Sequence, residues 1–368
     1  MSNAKQRGKP IFSGSYVAED CEFLLQKVKI KPISVAKKEL LLQTGGIHYS
    51  KLVSNEDAPS QDYLNTFHTL VDRYGDRLAA EIQLLAEKLH KFKGDSITLV
   101  SLARAGTPVG VLLTRALKAA HTSDVKHYSI SIVRDRGIDT IALQYIASSG
   151  RSSDSIIFVD GWTAKGVMNR ELKRAIANWN SKSHYKIGDE LCVISDLSGH
   201  AEYIGTTDDY AIPSGVLNST VSGLLSRTLI LDDVPGFHQC VSYAHLAKND
   251  LSKWFVDVIS DRFGKVPAAI DNMSPDWRIK RQAEVSSFMV KTMVDYDIQD
   301  INKIKPGVAE STRVMLRRLP RLLVLKDQNS SDVAHLKVLA AEKNILIKED
   351  PLMPFAAMAF IENVQDAI

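Results

Sequence analysis

Residues 156–159 are all apolar, and they lead directly into an acid, Asp160, and a short loop of small residues. The loop carries a hydroxyl on Thr163 and an ammonium on Lys165, and a helical pattern starts after it. A strand, a turn and a helix N-terminus in this order present free N–H groups and the positive end of a helix dipole, which bind phosphate. An acid at the strand end can hold sugar hydroxyls or a metal ion. The segment therefore predicts a phosphorylated, sugar-bearing ligand, with capping of the helix by Asp160 as the alternative.

Two further loops follow predicted strands and carry arginines. The first reads Ala103-Arg104-Ala105-Gly106, where small residues let the backbone close on an anion and the arginine adds charge. The second holds Arg134 and Arg136, which suit a polyphosphate or, alternatively, pair with local acids. Because parallel strands end at one edge of a sheet, the three loops should converge there. The chain has neither the Gly-x4-Gly-Lys-Ser/Thr nor the Gly-x-Gly-x2-Gly pattern, which argues against P-loop and dinucleotide-binding enzymes.

A fourth polar segment spans residues 218–227 and concentrates hydroxyl groups ahead of an apolar stretch. Ser219 and Thr220 could bind phosphate or an acceptor at a helix N-terminus, with Arg227 assisting. Ordinary helix capping and close packing of small residues explain the same pattern. The sequence leaves the two interpretations open.

The elements that must position these loops alternate between strands and helices, which is typical of a parallel α/β sheet. Helical spacing of apolar residues is already present at 60–92. The pattern then predicts strands at 96–102, 128–133, 156–160 and 190–196, and helices at 106–120, 138–148, 165–179, 213–231, 245–263 and 274–296. A smaller alternation follows Pro306-Gly307, with helices at 308–318, 332–343 and 354–361 and strands at 321–325 and 345–348.

This organisation predicts two α/β domains. We expect a disordered tail at residues 1–10, a first domain at 11–297 with its core at about 96–265, and a second at 298–368. The net charge of +3 is too small to indicate nucleic-acid binding by itself. Three widely spaced cysteines, the lack of a spanning apolar stretch and the lack of a signal-peptide core fit the cytoplasm and no membrane partner.

The loops resemble those of the type I phosphoribosyltransferases, which bind phosphoribosyl pyrophosphate (PRPP). The resemblance rests on Val159-Asp160-Gly161-Trp162-Thr163-Ala164-Lys165-Gly166 and on Leu102-Ala103-Arg104-Ala105-Gly106. It implies that Asp160 contacts the ribose hydroxyls and that residues 163–166 bind the 5-phosphate. Arg104 and its neighbours Ala103, Ala105 and Gly106 would hold the pyrophosphate together with Mg²⁺. Gly161 departs from the pattern, since most members carry a second acid there.

A closer resemblance is to a bacterial family found with tellurium-resistance and stress-response gene clusters. It rests on the segments at 158–166, 133–139 and 212–228, and it covers most of residues 11–290. The family is described as phosphoribosyltransferase-like and also carries the label cysteine protease StiP. Many members have a cysteine in the Ile-Pro-Ser segment, where this chain has Gly215-Val216.

Proteolysis would need a thiolate with a histidine beside it. Cys192 lies in an apolar strand, as a core residue would, although Asp196 and His200 are near it in sequence. Cys240 with His238 or His245 is the other candidate pair.

The C-terminal residues are locally basic. Residues 301–326 contain seven lysines and arginines against one acid, Glu310, which suits a phosphate backbone or a solvated helix face. The run from Lys305 to Arg313 resembles the RNA-contacting turn of the pelota-like family, with Gly307, Glu310 and Arg313 matching and Ala309 replacing an Asn. The resemblance implies RNA binding through these residues, with Arg317 one helical turn further on.

The leading functional hypothesis is a phosphoribosyltransferase that displaces pyrophosphate at the anomeric carbon, to or from a base-like or RNA acceptor. Asp160, Arg104 and Lys165 are the candidate catalytic residues. Arg134 and Arg136, together with Ser219, Thr220 and Arg227, would add ligand contacts. The expected partners are PRPP or a nucleotide and RNA, while homodimerisation stays open. The alternatives are a non-catalytic, nucleotide-sensing RNA-binding regulator, which Gly161 favours, and a cysteine protease.

Overall fold

A computed structural model describes residues 11–45, 47–121, 124–271, 274 and 276–362. The tail predicted at residues 1–10 lies outside the described residues. The first sheet is wholly parallel and has the order β1-β4-β3-β7-β8-β9. Two short two-stranded sheets, β2 with β10 and β5 with β6, accompany it. The strands up to this point are β1 (Glu22–Phe23), β2 (Gln26–Lys27), β3 (Ser96–Leu102), β4 (Asp124–Ile130), β5 (Ile132–Val133), β6 (Gly137–Ile138), β7 (Ile156–Thr163), β8 (Leu191–Asp196), β9 (Tyr203–Thr206) and β10 (Gln239–Cys240).

Helices cover both faces of the parallel sheet. Successive strand residues point to opposite faces, so Val159 shares one buried cluster with the helices at 61–93, 106–121 and 252–260, whereas Phe158 shares another with those at 140–147 and 167–182. Burying a side chain of this size stabilises the fold by about 1.5–3 kcal/mol. The helices are α1 (Val35–Gln43), α2 (Gln61–Lys93), α3 (Gly106–His121), α4 (Thr140–Ala147), α5 (Val167–Lys182), α6 (Pro213–Val216), α7 (Ser252–Ser260), α8 (Trp277–Asp295), α9 (Val308–Arg317) and α10 (Ala334–Glu342). None of the helices in the described ranges is long and apolar enough to cross a membrane.

A smaller mixed sheet forms the C-terminal part, in the order β11-β14-β12-β13. Its strands are β11 (Ile304–Pro306), β12 (Pro320–Leu325), β13 (Leu346–Glu349) and β14 (Ala357–Ile361). Helices α9 and α10 cover one face, and α8 covers the other. The predicted fold class, a parallel α/β sheet flanked by helices with a small C-terminal α/β domain, is confirmed.

Two predicted helices are wrong, and the helix predicted at 245–263 is shorter, because α7 covers only Ser252–Ser260. Residues 354–361 were predicted as a helix, but 357–361 form β14 between two other strands, where every residue is buried, and a short apolar run fits either structure. In the predicted helix at 213–231, α6 stops at Val216 and residues 217–231 run as a loop with one turn of 3₁₀ helix at Ser219–Val221. The positive φ angles of Gly223 (82°) and Leu224 (58°) are incompatible with a continuous helix.

Asp209 joins the two parts of the chain. One carboxylate oxygen accepts the N–H of Val308 at the start of α9 (2.8 Å), and the other accepts the N–H of Ala356 (2.7 Å). Hydrogen bonds to a charged acceptor contribute about 1.5–3 kcal/mol each, and the N-terminus of α9 also favours a negative charge. Asp209 is therefore a principal attachment point of the C-terminal sheet.

We expect Asp209→Ala to loosen the C-terminal part, because two buried N–H groups lose their acceptor. Amide hydrogen exchange across α9 should accelerate roughly 100-fold, which corresponds to about 2.7 kcal/mol. Asp208→Ala is the matched control, since that neighbouring carboxylate is exposed and pairs with Arg77. Equal exchange in the two variants would contradict this role for Asp209.

Candidate functional site

A cavity of about 1300 Å³ lies between the carboxyl edge of the parallel sheet and helix α9. From the predicted site residues of the first domain, its wall contains Arg104, Arg134, Arg136, Thr163, Ala164, Lys165, Thr220 and Arg227. From the predicted RNA-binding residues, it contains Glu310, Arg313 and Arg317. The structure thus brings two predicted sites, on different domains, into one cavity.

The loop after β7 is shaped by contacts between its own residues. Thr163 accepts the N–H of Gly166 with its hydroxyl (3.2 Å), and α5 begins at Val167. Gly166 has a φ of 66°, and a Cβ there would lie 2.4 Å from the His200 ring, so only glycine fits. No side chain caps α5, and Asp160 instead accepts the N–H of Gly161 (2.8 Å). The capping alternative for Asp160 is therefore not what the structure shows.

The loops after β3 and β7 are in direct contact. A Cβ on Gly106 would lie 2.2 Å from the carbonyl oxygen of Val159, and one on Gly161 would lie 3.4 Å from the carbonyl oxygen of Ala105. The peptide bond between Ala103 and Arg104 is cis. Small residues at 105, 106 and 161 thus serve close approach of the two backbones. Ala103, Ala105, Gly106, Asp160, Gly161, Gly166 and Ser219 are not among the residues that form the cavity wall.

Asp160 lies within β7, three residues before the strand ends, and is close to charges on α9. Burial raises the pKa of this carboxyl to about 6, Arg313 opposes that rise and Glu310 adds to it. A carboxyl with such a pKa changes charge near neutral pH, as groups in functional sites often do.

The Lys165 ammonium reaches across to the C-terminal part. It donates to the carbonyl oxygens of Ile301 (2.9 Å) and Ile304 (2.8 Å). Burial, together with the nearby Lys305, lowers its pKa to about 7. Lys165 is therefore held by two neutral acceptors at the edge of the cavity.

Arg104 and Ser219 converge on one carboxylate, that of Glu56. Arg104 Nη2 lies 3.2 Å from Glu56 Oε2, and Glu56 Oε1 accepts both the backbone N–H (2.6 Å) and the hydroxyl (2.7 Å) of Ser219. Burial raises the pKa of Glu56, but Arg104, Arg317 and the Ser219 hydrogen bonds outweigh it, so the pKa lies below its ordinary value. Two groups predicted to bind anions therefore share an anion that belongs to the chain. The sequence pattern did not reveal Glu56, because residues 11–60 carry no clear periodicity.

The remaining residues that were predicted to bind phosphate differ in their contacts and burial. Arg134 pairs with Asp135 (3.0 Å), which agrees with the alternative prediction that it pairs with a local acid. It also donates a hydrogen bond to Asn302 (2.8 Å) in the C-terminal part. Arg136 is exposed at the cavity wall. Thr220 is buried, and its carbonyl accepts the N–H of Leu251 (2.7 Å).

Helix α9 directs its predicted RNA-binding side chains towards the parallel sheet. The Arg313 guanidinium lies 4.9 Å from the ring centre of Trp162, and Glu310 accepts hydrogen bonds from both Arg313 (2.9 Å) and Trp162 (3.3 Å). Arg317 donates to the side chain of Asn218. Gly307 begins the helix with a φ of 92°. The turn that resembles an RNA-contacting motif therefore faces the shared cavity.

The three cysteines are all buried, with 2% or less of each side chain exposed. Burial raises the pKa of Cys192 and Cys240 to about 12 and that of Cys21 well above its usual value, which disfavours the thiolate. The candidate histidines contact other groups: His200 the hydroxyl of Ser198, His238 the hydroxyl of Ser131, and His245 the carbonyl of Glu56. Gly215 packs against Trp162 and Ala309. Across the described ranges, no group of three or more His, Cys, Asp or Glu side chains could hold a metal ion.

Comparison with known proteins gives two family matches. Residues 14–260 match the family described as tellurite-like stress resistance cysteine protease StiP, and residues 284–363 match the PELOTA RNA binding domain. The chain is 39% identical to the cysteine protease StiP of Acinetobacter baylyi (strain ATCC 33305 / BD413 / ADP1) over 370 residues, covering 96% of this chain and 95% of the relative.

Solved structures with partial similarity are hypoxanthine phosphoribosyltransferases. The hypoxanthine-guanine enzyme (hpt-2) of Bacillus anthracis str. 'Ames Ancestor' is 16% identical over 37% of this chain and 80% of its own, with a TM-score of 0.27. The Trypanosoma cruzi enzyme is 13% identical over 36% of this chain and 77% of its own, with a TM-score of 0.27.

Proposed function

Since the chain belongs to the StiP family of tellurite-like stress resistance proteins and carries a PELOTA RNA binding domain, we propose that its cavity binds PRPP and transfers ribose 5-phosphate to a base-like or RNA acceptor. Both family assignments confirm resemblances drawn from the sequence. The observation that carries the proposal is that Arg104 and Ser219 both bind the Glu56 carboxylate. These contacts mark a position at the sheet edge where an anion is bound.

In the proposed reaction, a nucleophilic atom of the acceptor forms a bond to the anomeric carbon while the bond from that carbon to pyrophosphate breaks. The pyrophosphate leaves with the electron pair, so negative charge grows on it in the transition state. Arg104 and Arg134 would stabilise that charge. Residues 163–166 would hold the 5-phosphate, which fixes the anomeric carbon relative to the acceptor.

A magnesium ion is expected to accompany PRPP. Asp160 would hold the ion through its carboxylate, because Mg²⁺ commonly binds through one or two carboxylates together with substrate phosphates. The ion would supply further neutralisation of the pyrophosphate charge.

Two other functions have specific support. The names of the family and of the Acinetobacter relative favour cysteine proteolysis, whereas the burial of all three thiols opposes it. A nucleotide-sensing regulator without turnover is favoured by Gly161, which lacks a carboxylate.

Calorimetric titration of PRPP with Mg²⁺ tests the proposal. We expect binding near micromolar for the wild type and a loss in Asp160→Asn, with pyrophosphate release once an acceptor is supplied. The wild-type affinity should fall about tenfold between pH 7 and pH 5, because Asp160, with a pKa of about 6, becomes protonated in that interval. Absence of binding at millimolar PRPP would overturn the transferase and leave the regulator and the protease.

The triple variant Cys21→Ala/Cys192→Ala/Cys240→Ala distinguishes the protease hypothesis from the transferase and regulator hypotheses. It should keep PRPP binding and any turnover, because the thiols are buried in the core. Peptide cleavage by the wild type that disappears in a folded triple variant would instead establish a cysteine nucleophile.

A further inference from the structure

Three cations of the cavity wall donate hydrogen bonds to neutral acceptors, as Lys165 also does. Lys38 Nζ donates to the Ser54 hydroxyl (3.0 Å) and to the carbonyl oxygen of Arg317 (3.1 Å). Arg227 donates to the carbonyl oxygen of Leu52, and Arg317 donates to the Asn218 amide oxygen. We call Lys38, Arg227 and Arg317 the cation triad. Its members come from α1, from the 217–231 loop and from the end of α9, so the two domains build it jointly.

The acids nearest to the triad are already engaged. Glu39, which is fully buried, is paired with Arg318, and Glu56 is paired with Arg104. Burial and the neighbouring Arg227, Arg318 and Arg317 together lower the pKa of Lys38 to about 8, although Glu39 opposes them. Burial, with Arg318 and Arg104, lowers the pKa of Arg227 to about 10. The local field is therefore positive, and desolvated positive charge is costly unless an anion accompanies it.

The triad is distinct from the position on Arg104 and Ser219. The Glu56 carboxylate occupies that position, whereas the triad faces the cavity from α1 and α9. The Arg227 guanidinium also lies 4.9 Å from the ring centre of Tyr49, an aromatic residue of the same wall. Capping of the α9 C-terminus explains one contact of Lys38, but it explains neither arginine.

We propose that the cation triad binds a phosphate ester of the second ligand, so that the acceptor is a nucleotide or the phosphorylated end of an RNA strand. The inference rests on the proposed function where it identifies the ligand as the acceptor. The phosphate site itself does not depend on PRPP. Two guanidinium groups and an ammonium from separate segments match the several oxygens of a phosphate better than the two of a carboxylate. The match of the C-terminal domain to an RNA-binding family agrees with a nucleotide phosphate.

The test is calorimetric titration of uridine 5′-monophosphate into the full chain with saturating ribose 5-phosphate present. We expect binding that uridine does not reproduce and that weakens roughly tenfold or more in Arg227→Gln and in Arg317→Gln. Two variants are used because Arg227 also contacts Tyr49, and each is checked for an unchanged melting temperature. Lys182→Gln, an exposed lysine at the end of α5, is the control and should bind normally.

A 5′-phosphorylated hexauridylate distinguishes the two sources of the phosphate. Binding at least tenfold tighter than the monophosphate, with the same loss in both variants, assigns an RNA end; equal binding assigns a free nucleotide, and either result supports the site. Binding unchanged in both variants, or no binding, overturns it. Failure of PRPP to bind while the triad still binds the monophosphate rejects the transferase alone.

Discussion

Glu56→Ala is expected to lower the free energy of unfolding by about 3 kcal/mol, because removing one partner of a buried ion pair leaves the other charge uncompensated. The Arg104 side chain is only 6% exposed, and without Glu56 it keeps the Leu225 carbonyl as its partner. Ser219 would lose its acceptor as well. Chemical denaturation of the wild type and the variant measures the difference.

Inorganic pyrophosphate should raise the free energy of unfolding of Glu56→Ala by much of that amount. It should raise the free energy of unfolding of the wild type much less. A ligand that binds only the folded state stabilises it in proportion to the logarithm of its concentration over Kd, and the variant has a vacated anion position. Asp57→Ala is the control, because this neighbouring acid is exposed on the same cavity wall. Equal rescue in all three proteins would mean that Glu56 does not occupy a ligand position.

Glu310→Gln is expected to remove about 3 kcal/mol of the stability that the wild type has at neutral pH. Burial raises the pKa of Glu310, but Arg313, Lys305 and two hydrogen bonds outweigh burial and bring it to about 2. Because the folded-state pKa lies below the ordinary glutamate value of 4.5, the contribution is present above about pH 4.5 and is lost as the pH falls towards 2.

The measurement is the free energy of unfolding at several pH values between 7 and 3. The wild type should lose more stability on acidification than Glu310→Gln, and the two curves should approach each other at low pH. Glu342→Gln, an exposed acid of the same cavity, should follow the wild type. Parallel curves for wild type and Glu310→Gln would show that Arg313 and Trp162 do not depend on this charge.

The parts of the site that the sequence predicts are those fixed by local pattern. Residues 156–159 form a buried strand because the run is apolar throughout, and the rule that parallel strands end at one edge correctly brings Ala105 and Gly106 close to residues 159–161. The local pattern was misleading at 217–231, where it predicted a helix. The apolar spacing does not reveal the positive φ angles at Gly223 and Leu224.

The parts that could not be predicted depend on contacts between distant segments. Glu56 reaches Ser219 across 163 positions of sequence, and Trp162 reaches Glu310 across 148. Such contacts leave no periodic trace in the chain. The orientation of α9, which decides where the predicted RNA-binding residues point, depends on long-range hydrogen bonds such as those of Asp209.

The position of α9 also affects how fragments of this chain should be interpreted. One wall of the cavity comes from residues 300–318, which lie beyond the segment that matches the StiP family. A truncated protein that ends before this helix would present an open groove, in which Trp162 has neither Glu310 nor Arg313 against it. Ligand affinities obtained with such a fragment would therefore describe a different surface from that of the whole molecule.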